Sequence, residues 1–97
     1  MRLKLLGAGV VLAALAGCEI PPEGTNAEDV ANYQAAVASI GCVMVSESDY
    51  LPVELQAGLT REQTQALTSY HLGTGKAVKL EDGGVRLTVG DCATDAA

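Results

Sequence analysis

The sequence contains neither tryptophan nor phenylalanine, and its only aromatic residues are Tyr33, Tyr50 and Tyr70. Basic residues are also scarce, because six lysines and arginines stand against twelve aspartates and glutamates, a formal net charge of −6 at pH 7. Nucleic-acid binding depends on neutralising phosphates with basic side chains and on stacking bases against aromatic rings. The composition therefore argues against a nucleic-acid partner, and equally against electrostatic docking on anionic lipid headgroups.

Long hydrophobic runs are also missing, except for one near the N-terminus. Residues 5–17 contain no charged and no strongly polar side chain, and Arg2 and Lys4 precede them. This run of 13 residues is shorter than the roughly 20 that a helix needs to span a bilayer. Two positive charges followed by a short apolar run are typical of a secretory signal peptide, which is removed from the mature protein.

The end of this run resembles the lipobox of bacterial prolipoproteins, in which a leucine and two small residues precede a cysteine. The four residues here are Leu15, Ala16, Gly17 and Cys18. The resemblance implies transfer of a diacylglyceryl group to the Cys18 sulfur, cleavage between Gly17 and Cys18, and a fatty acyl chain such as palmitate on the new amino terminus. Two or three acyl chains anchor a protein far more firmly than one. We expect this covalent lipid to bind the membrane, and we expect no other cofactor.

Residue 19 favours one of the two membranes of a Gram-negative envelope. In the sorting scheme that many such lipoproteins follow, an aspartate directly after the lipidated cysteine retains the protein in the inner membrane. This chain has Glu19 at that position. The resemblance therefore implies an outer-membrane protein that faces the periplasm.

The expected boundaries are a signal peptide at 1–17, a lipidated cysteine with a tether at 18–26, a small domain at 27–92 and a flexible tail at 93–97. Cleavage leaves 80 residues, with four basic against twelve acidic side chains and a formal charge of −8. Pro21 and Pro22 favour an extended tether. The alternative is an ordered arm packed on the domain, with Ile20 in a pocket.

A first helix is predicted over residues 27–40. Thr25 and Glu28 have the spacing of a capping box at its start, and Gly41 provides a stop signal at its end. Apolar side chains recur every three to four positions along it, which is the spacing of one helical face. That face consists of Val30, Tyr33, Val37 and Ile40.

Two further helices follow. A short one is predicted at 49–57, with Ser48 or Asp49 as its cap and a proline in its first turn. A longer one is predicted at 61–72 behind a second capping box, formed by Thr60 and Gln63. Its inward face is predicted to consist of Ala66, Leu67 and Tyr70. Between the first helix and these two, the apolar run 42–45 indicates either a short strand or a buried turn.

The C-terminal part predicts a β-hairpin with strands at 77–81 and 85–89. Apolar and polar residues alternate in both segments, and the sequence Asp-Gly-Gly between them is strong turn chemistry. The predicted fold class is therefore α+β, with the order helix, short element, helix, hairpin. This order also resembles a winged helix in shape, although the helix at 61–72 has only Arg61 as a base, whereas a DNA-reading helix needs several.

The two cysteines that remain after lipidation predict a disulfide. Cys42 and Cys92 form an even pair in an oxidising compartment, and their bond would join the helical half to the hairpin. Redox chemistry favours closely spaced cysteines near bases, and zinc needs three or four ligands. One histidine and two cysteines are too few, so we expect a structural Cys42–Cys92 disulfide and no metal site.

No residue is expected to be catalytic. His71, the only histidine, lies near the end of a predicted helix, where a cation interacts favourably with the helix dipole. Serines at 39, 46, 48 and 69 leave a Ser-His-Asp arrangement open, but none lies in a nucleophile elbow.

Three functions remain open for a small acidic domain of this kind. The first is a structural or protein-interaction role in the cell envelope, with the hairpin edge and the surface around Tyr50, Leu51 and Val53 as candidate contacts. The second is a periplasmic inhibitor or small-ligand-binding module, which a concave apolar pocket would reveal. The third is a small enzyme, which needs His71 beside a serine and a carboxylate. We expect the first, with a possible envelope protein as the partner.

Overall fold

The computed structural model describes residues 20–93. The predicted signal peptide, its cleavage site and Cys18 lie outside this part of the chain. The described residues form three helices, a three-stranded antiparallel sheet and one disulfide, which confirms the predicted α+β class. In chain order the elements are α1 (Ala27–Ser39), β1 (Val43–Met44), α2 (Glu47–Ala57), α3 (Arg61–Gly73), β2 (Ala77–Lys79), β3 (Val85–Leu87) and a 3₁₀ turn (Gly90–Cys92).

Helix α1 starts with a capping box one residue later than predicted. The Asn26 side chain accepts a hydrogen bond from the Asp29 backbone at 2.8 Å, and the Asp29 carboxylate accepts one from the Asn26 backbone at 3.1 Å. The Thr25 hydroxyl instead donates to the carbonyl of Pro22 at 2.7 Å. Asparagine is at least as good an N-cap as threonine. Asn26 is therefore the N-cap of α1, in place of the predicted Thr25.

Helix α2 is longer than predicted. It begins at Glu47 with Ser46 as its N-cap, and the Asp49 carboxylate accepts backbone hydrogen bonds from Val45 at 2.8 Å and Ser46 at 3.3 Å. The prediction that Ser48 or Asp49 caps this helix is therefore wrong, because Asp49 binds backward from inside the first turn. Pro52 consequently lies in the interior of the helix and not in its first turn. Proline has no backbone N–H, so the hydrogen bond that another residue would donate at this position is missing.

A short turn joins α2 to α3. Gly58 closes α2 in the left-handed region, with φ at 69°, a conformation that glycine adopts without steric cost. Thr60 then caps α3: its hydroxyl accepts from the Gln63 backbone at 3.0 Å, and the Gln63 side chain accepts from the Thr60 backbone at 2.9 Å. This confirms the second predicted capping box. Two helices joined by a turn of three residues make a helix-turn-helix unit.

The sheet has the order β1–β3–β2. The predicted hairpin forms, but each strand has three residues instead of five, and the connection runs over 80–84. The run at 42–45 contributes the short strand β1, which pairs with β3 through Val43 with Arg86 and Met44 with Val85. With β1 added to the hairpin, the sheet has three antiparallel strands.

The core lies between the helices and the sheet. Its buried apolar side chains include those of Tyr33, Val37, Met44, Val53, Leu67 and Leu87. The Cys42–Cys92 disulfide is buried within the same core, with the two Cα atoms 5.6 Å apart. It joins the segment after α1 to the 3₁₀ turn after β3, so the predicted link between the helical half and the hairpin is confirmed.

Candidate functional site

His71 is a titratable side chain inside the domain, with no exposed surface. Its Nδ1 atom lies 2.7 Å from the carbonyl oxygen of Leu67, and its Nε2 atom lies 3.0 Å from the side-chain nitrogen of Gln34. A carbonyl only accepts, so Nδ1 carries the proton and donates it. Nε2 then accepts from the Gln34 amide, which leaves His71 neutral with both nitrogens occupied.

Burial lowers the pKa of His71 below its usual 6.5, because desolvation penalises the imidazolium. The hydrogen bond to the Leu67 carbonyl opposes this effect, and the positive charge of Lys76 adds to it. The expectation that His71 serves as a cation at the helix end is therefore wrong. The ring is held neutral inside the domain and links α3 to α1.

A second hydrogen-bonded chain runs beside His71. The Tyr33 hydroxyl lies 2.7 Å from the Thr68 hydroxyl, which itself donates to the Thr64 carbonyl at 2.9 Å, so Tyr33 is the donor. Burial raises the pKa of Tyr33 to about 12. The rings of Tyr33 and His71 lie 4.8 Å apart. We call this group the interhelical polar cluster; its members are Tyr33, Gln34, Thr64, Thr68 and His71.

The polar cluster was not foreseen from the sequence. Thr64, Thr68 and His71 follow one another at helical spacing, and all three are buried. The predicted inward face of α3 was Ala66, Leu67 and Tyr70, of which only Leu67 is fully buried. The sequence does contain a polar stripe at positions i, i+4 and i+7 of this helix. Such a stripe normally faces solvent, so it does not predict a buried cluster.

The cluster does not contain the Ser-His-Asp arrangement that the sequence left open. Neither ring nitrogen of His71 contacts a serine or a carboxylate, since both are bound to Leu67 and Gln34. The Ser39 hydroxyl donates to the carbonyl of Ala36, and the hydroxyls of Ser46 and Ser48 bind each other. Within residues 20–93 there is no cavity and no group of three or more metal-binding side chains.

The surface around Tyr50 differs in the structure from the contact surface predicted from the sequence. Val53 is completely buried and therefore cannot contact a partner, and Tyr50 is half-buried against the core. Leu51 is exposed as expected. Leu55, which the sequence argument did not select, is 83% exposed and lies four residues further along α2. Residues four apart share a helix face, so α2 presents an exposed pair of leucines.

Arg61 holds the start of α3 against α2. Its guanidinium donates to both oxygens of Glu47, at 3.0 and 2.9 Å, and its Nε donates to Glu54. It also lies 5.3 Å from the centre of the Tyr50 ring. Hydrogen bonds from Arg61 lower the pKa of the Glu47 carboxyl. Arg61, the only lysine or arginine of α3, is therefore bound to carboxylates of the domain itself.

The exposed positions of α3 carry no lysine or arginine. Its fully exposed positions before the last residue are Glu62, Gln65 and Ser69. A DNA-reading helix needs several basic side chains there. The basic face that a DNA-reading helix needs is therefore missing from the exposed positions of α3.

The segment before α1 contacts the domain. The Gln63 side chain donates to the carbonyl of Gly24 at 3.0 Å, and the Thr25 backbone donates to the carbonyl of Pro22 at 3.0 Å. Pro21 and Pro22 are half-buried, whereas Ile20 is 71% exposed. Residues 21–25, which we call the N-terminal arm, are thus attached to the start of α3, and Ile20 does not enter a pocket.

None of the helices in residues 20–93 has the length and apolar character to cross a membrane. No family model matches the chain, and no curated protein and no solved structure matches it either.

Proposed function

We propose that this chain is a lipoprotein of the bacterial cell envelope, anchored through Cys18 to the outer membrane and facing the periplasm. Its small domain serves there as a structural or protein-interaction element. The observation that carries the proposal is the sequence Leu15–Cys18 at the end of a charged and apolar leader. A lone Leu-Ala-Gly-Cys inside a domain would be weak evidence, whereas the same residues at the end of a signal peptide are specific.

The described domain supports a binding role rather than catalysis. It has no cavity, and the one histidine is enclosed and neutral with both ring nitrogens occupied. A small-molecule site normally requires a concave pocket with a few convergent polar groups. A surface without such a pocket offers contacts to a macromolecule instead.

The anchor is tested by intact mass spectrometry of the protein extracted from membranes. We expect a chain that begins at Cys18, carries a diacylglyceryl group and a fatty acyl chain, and has the two hydrogens of the Cys42–Cys92 disulfide missing. The matched control is Cys18→Ala, which leaves the domain unchanged and should abolish both the added mass and membrane fractionation. An unprocessed chain with three free thiols would contradict the proposal.

The membrane of residence is tested at residue 19. Glu19→Asp introduces the residue that retains lipoproteins in the inner membrane, so we expect it to move the protein there. Glu19→Gln also alters the side chain at this position, without creating that signal, and should remain in the outer membrane. Separation of the two membranes by density would overturn the assignment if the native protein sediments with the inner membrane.

A protein partner is tested at the exposed leucines of α2. A photo-crosslinking residue at Leu55 should capture one reproducible envelope protein, because an exposed leucine beside Leu51 offers apolar area to a partner. The same residue at Gln65, exposed on α3, is the control and should not capture it. Equal capture of abundant proteins at both positions would count against the interaction role. A captured enzyme that loses activity on binding would instead favour the inhibitor alternative.

A further inference from the structure

The N-terminal arm shortens the connection between the proposed lipid and the domain. The turn at Pro22 accepts hydrogen bonds from both the backbone and the hydroxyl of Thr25, at 3.0 and 2.7 Å. Gly24 is bound by Gln63 at 3.0 Å. The domain therefore begins at Pro22 and not at the first residue of α1.

This shortening has a length that follows from covalent geometry. Each residue of an extended chain adds at most about 3.6 Å. The four residues from Cys18 to Pro22 therefore reach at most about 14 Å, whereas a free tether that continued to Asn26 would reach about 29 Å. The arm halves the distance to which the domain can move away from its anchor.

The arm also selects which end of the domain is close to the anchor. Gln63 lies in the first turn of α3 and binds the arm directly. Helix α3 has 13 residues, and at about 1.5 Å per residue its last residue, Gly73, lies about 18 Å from its first. An anchor attached through the arm is therefore closer to the first turn of α3 than to its last residue.

Charge does not hold this end on the bilayer. Exposed carboxylates surround the arm at Glu23, Glu28 and Glu62, and Arg61 is bound by Glu47 and Glu54. Acidic side chains gain nothing from anionic headgroups. The apolar residue nearest the anchor is Ile20, which is exposed and lies within about 7 Å of Cys18 along the chain, at the depth where an apolar side chain enters the membrane interface.

We propose that the anchored domain has a fixed orientation, with Ile20, the N-terminal arm and the first turn of α3 against the lipid surface and the C-terminal end of α3 directed into the periplasm. This inference rests on the proposed lipidation of Cys18. The partner of the arm surface is the bilayer itself.

The orientation is tested with two labels on one helix. Glu62→Cys places a thiol on the exposed first turn, and Gly73→Cys places one at the other end, where an added Cβ meets no atom within 4 Å. The lipidated full chain, labelled with bimane, is reconstituted in vesicles of phosphatidylethanolamine and phosphatidylglycerol that carry a nitroxide on part of the headgroups. We expect severalfold stronger quenching of the label at residue 62 than of the label at residue 73.

Two controls separate this inference from the proposed function. A flexible Gly-Ser insertion between Ile20 and Pro21 leaves the lipid intact and lengthens the connection, so the two labels should be quenched to the same extent. Equal quenching without the insertion, in a protein that still floats with the vesicles, overturns the orientation and leaves the lipid anchor standing. A Cys18→Ala protein that floats as well as the native one overturns the anchor, and the orientation with it.

Discussion

At the scale of single residues, the buried ring of His71 makes stability depend on pH. Burial lowers its pKa in the folded protein below the value of 6.5 in the unfolded chain. The unfolded state therefore binds more protons in this range, and the free energy of unfolding falls as the pH drops below about 6.5. We expect the free energy of unfolding to fall by up to about 1.4 kcal/mol per pH unit. The decrease should stop once the pH falls below the pKa of His71 in the folded protein. Urea unfolding between pH 7.5 and 5 measures it.

His71→Gln is the control for this prediction, because its amide cannot titrate and still offers polar atoms to Leu67 and Gln34. The variant will lose some stability at neutral pH. Its free energy of unfolding should change much less than that of the native protein between pH 7 and 5. An equal slope in the two proteins would show that carboxylates, and not His71, cause the pH dependence.

The Tyr33 hydroxyl offers a second test of the interhelical polar cluster. Tyr33→Phe keeps the ring beside His71 and removes the hydrogen bond to Thr68, whose hydroxyl still donates to Thr64. No buried donor is left without a partner, so we expect a loss of about 1 kcal/mol in the free energy of unfolding. Tyr70→Phe, at a half-exposed position, is the matched control and should change stability by less than half as much.

At the scale of elements, local signals in the sequence located the helices better than the sheet. Capping residues and apolar spacing act within one or two turns, so α1 and α3 were placed within a residue or two. The end of α2 was predicted correctly because Gly58 is a local stop signal, whereas its start was not, because Asp49 binds backward to Val45. The β1–β3 pairing joins residues more than 40 positions apart, and no local pattern specifies such a pairing.

The interhelical polar cluster could not be predicted from local patterns either. The interhelical polar cluster depends on Tyr33 and Gln34 meeting α3, which is a tertiary contact. From α3 alone, Thr64, Thr68 and His71 form a polar stripe, and a polar stripe predicts an exposed face. Only the position of α1 shows that the stripe is buried and hydrogen-bonded.

The packing of β1 against the hairpin turn gives a prediction for Gly84. A Cβ atom added there would lie 2.9 Å from a methyl group of Val45 and 3.0 Å from the Met44 carbonyl oxygen. The backbone oxygen has little freedom to move, so Gly84→Ala should lower the free energy of unfolding by about 1–3 kcal/mol.

Gly73→Ala is the matched control for Gly84→Ala. The added methyl group meets no atom within 4 Å at the last residue of α3, and alanine loses less conformational entropy on folding. Thermal or urea unfolding should show this variant to be as stable as the native protein, or more stable by up to about 1 kcal/mol. Similar decreases in the free energy of unfolding of the two variants would mean that β1 is not in close contact with Gly84.

At the scale of the whole molecule, the disulfide compensates for a small core. The buried apolar set is composed mainly of alanine, valine and leucine, with Tyr33 as its one aromatic member. Domains of this size bury a modest fraction of their surface, and many rely on cross-links. The Cys42–Cys92 bond joins residues 50 positions apart, so it restricts most of the domain in the unfolded state.

Removal of this bond is therefore expected to have the largest effect on stability. The entropy of closing a loop of this length corresponds to about 4 kcal/mol, a large share of the 5–15 kcal/mol that is typical of folded domains. The variant Cys42→Ala/Cys92→Ala, made in a chain that starts after Cys18, should unfold at a much lower urea concentration than its parent. Reduction of the parent with dithiothreitol should produce nearly the same decrease, because both treatments remove the same constraint. If the double variant is as stable as the parent, packing alone holds the helical half and the hairpin together, and the fold does not need the disulfide.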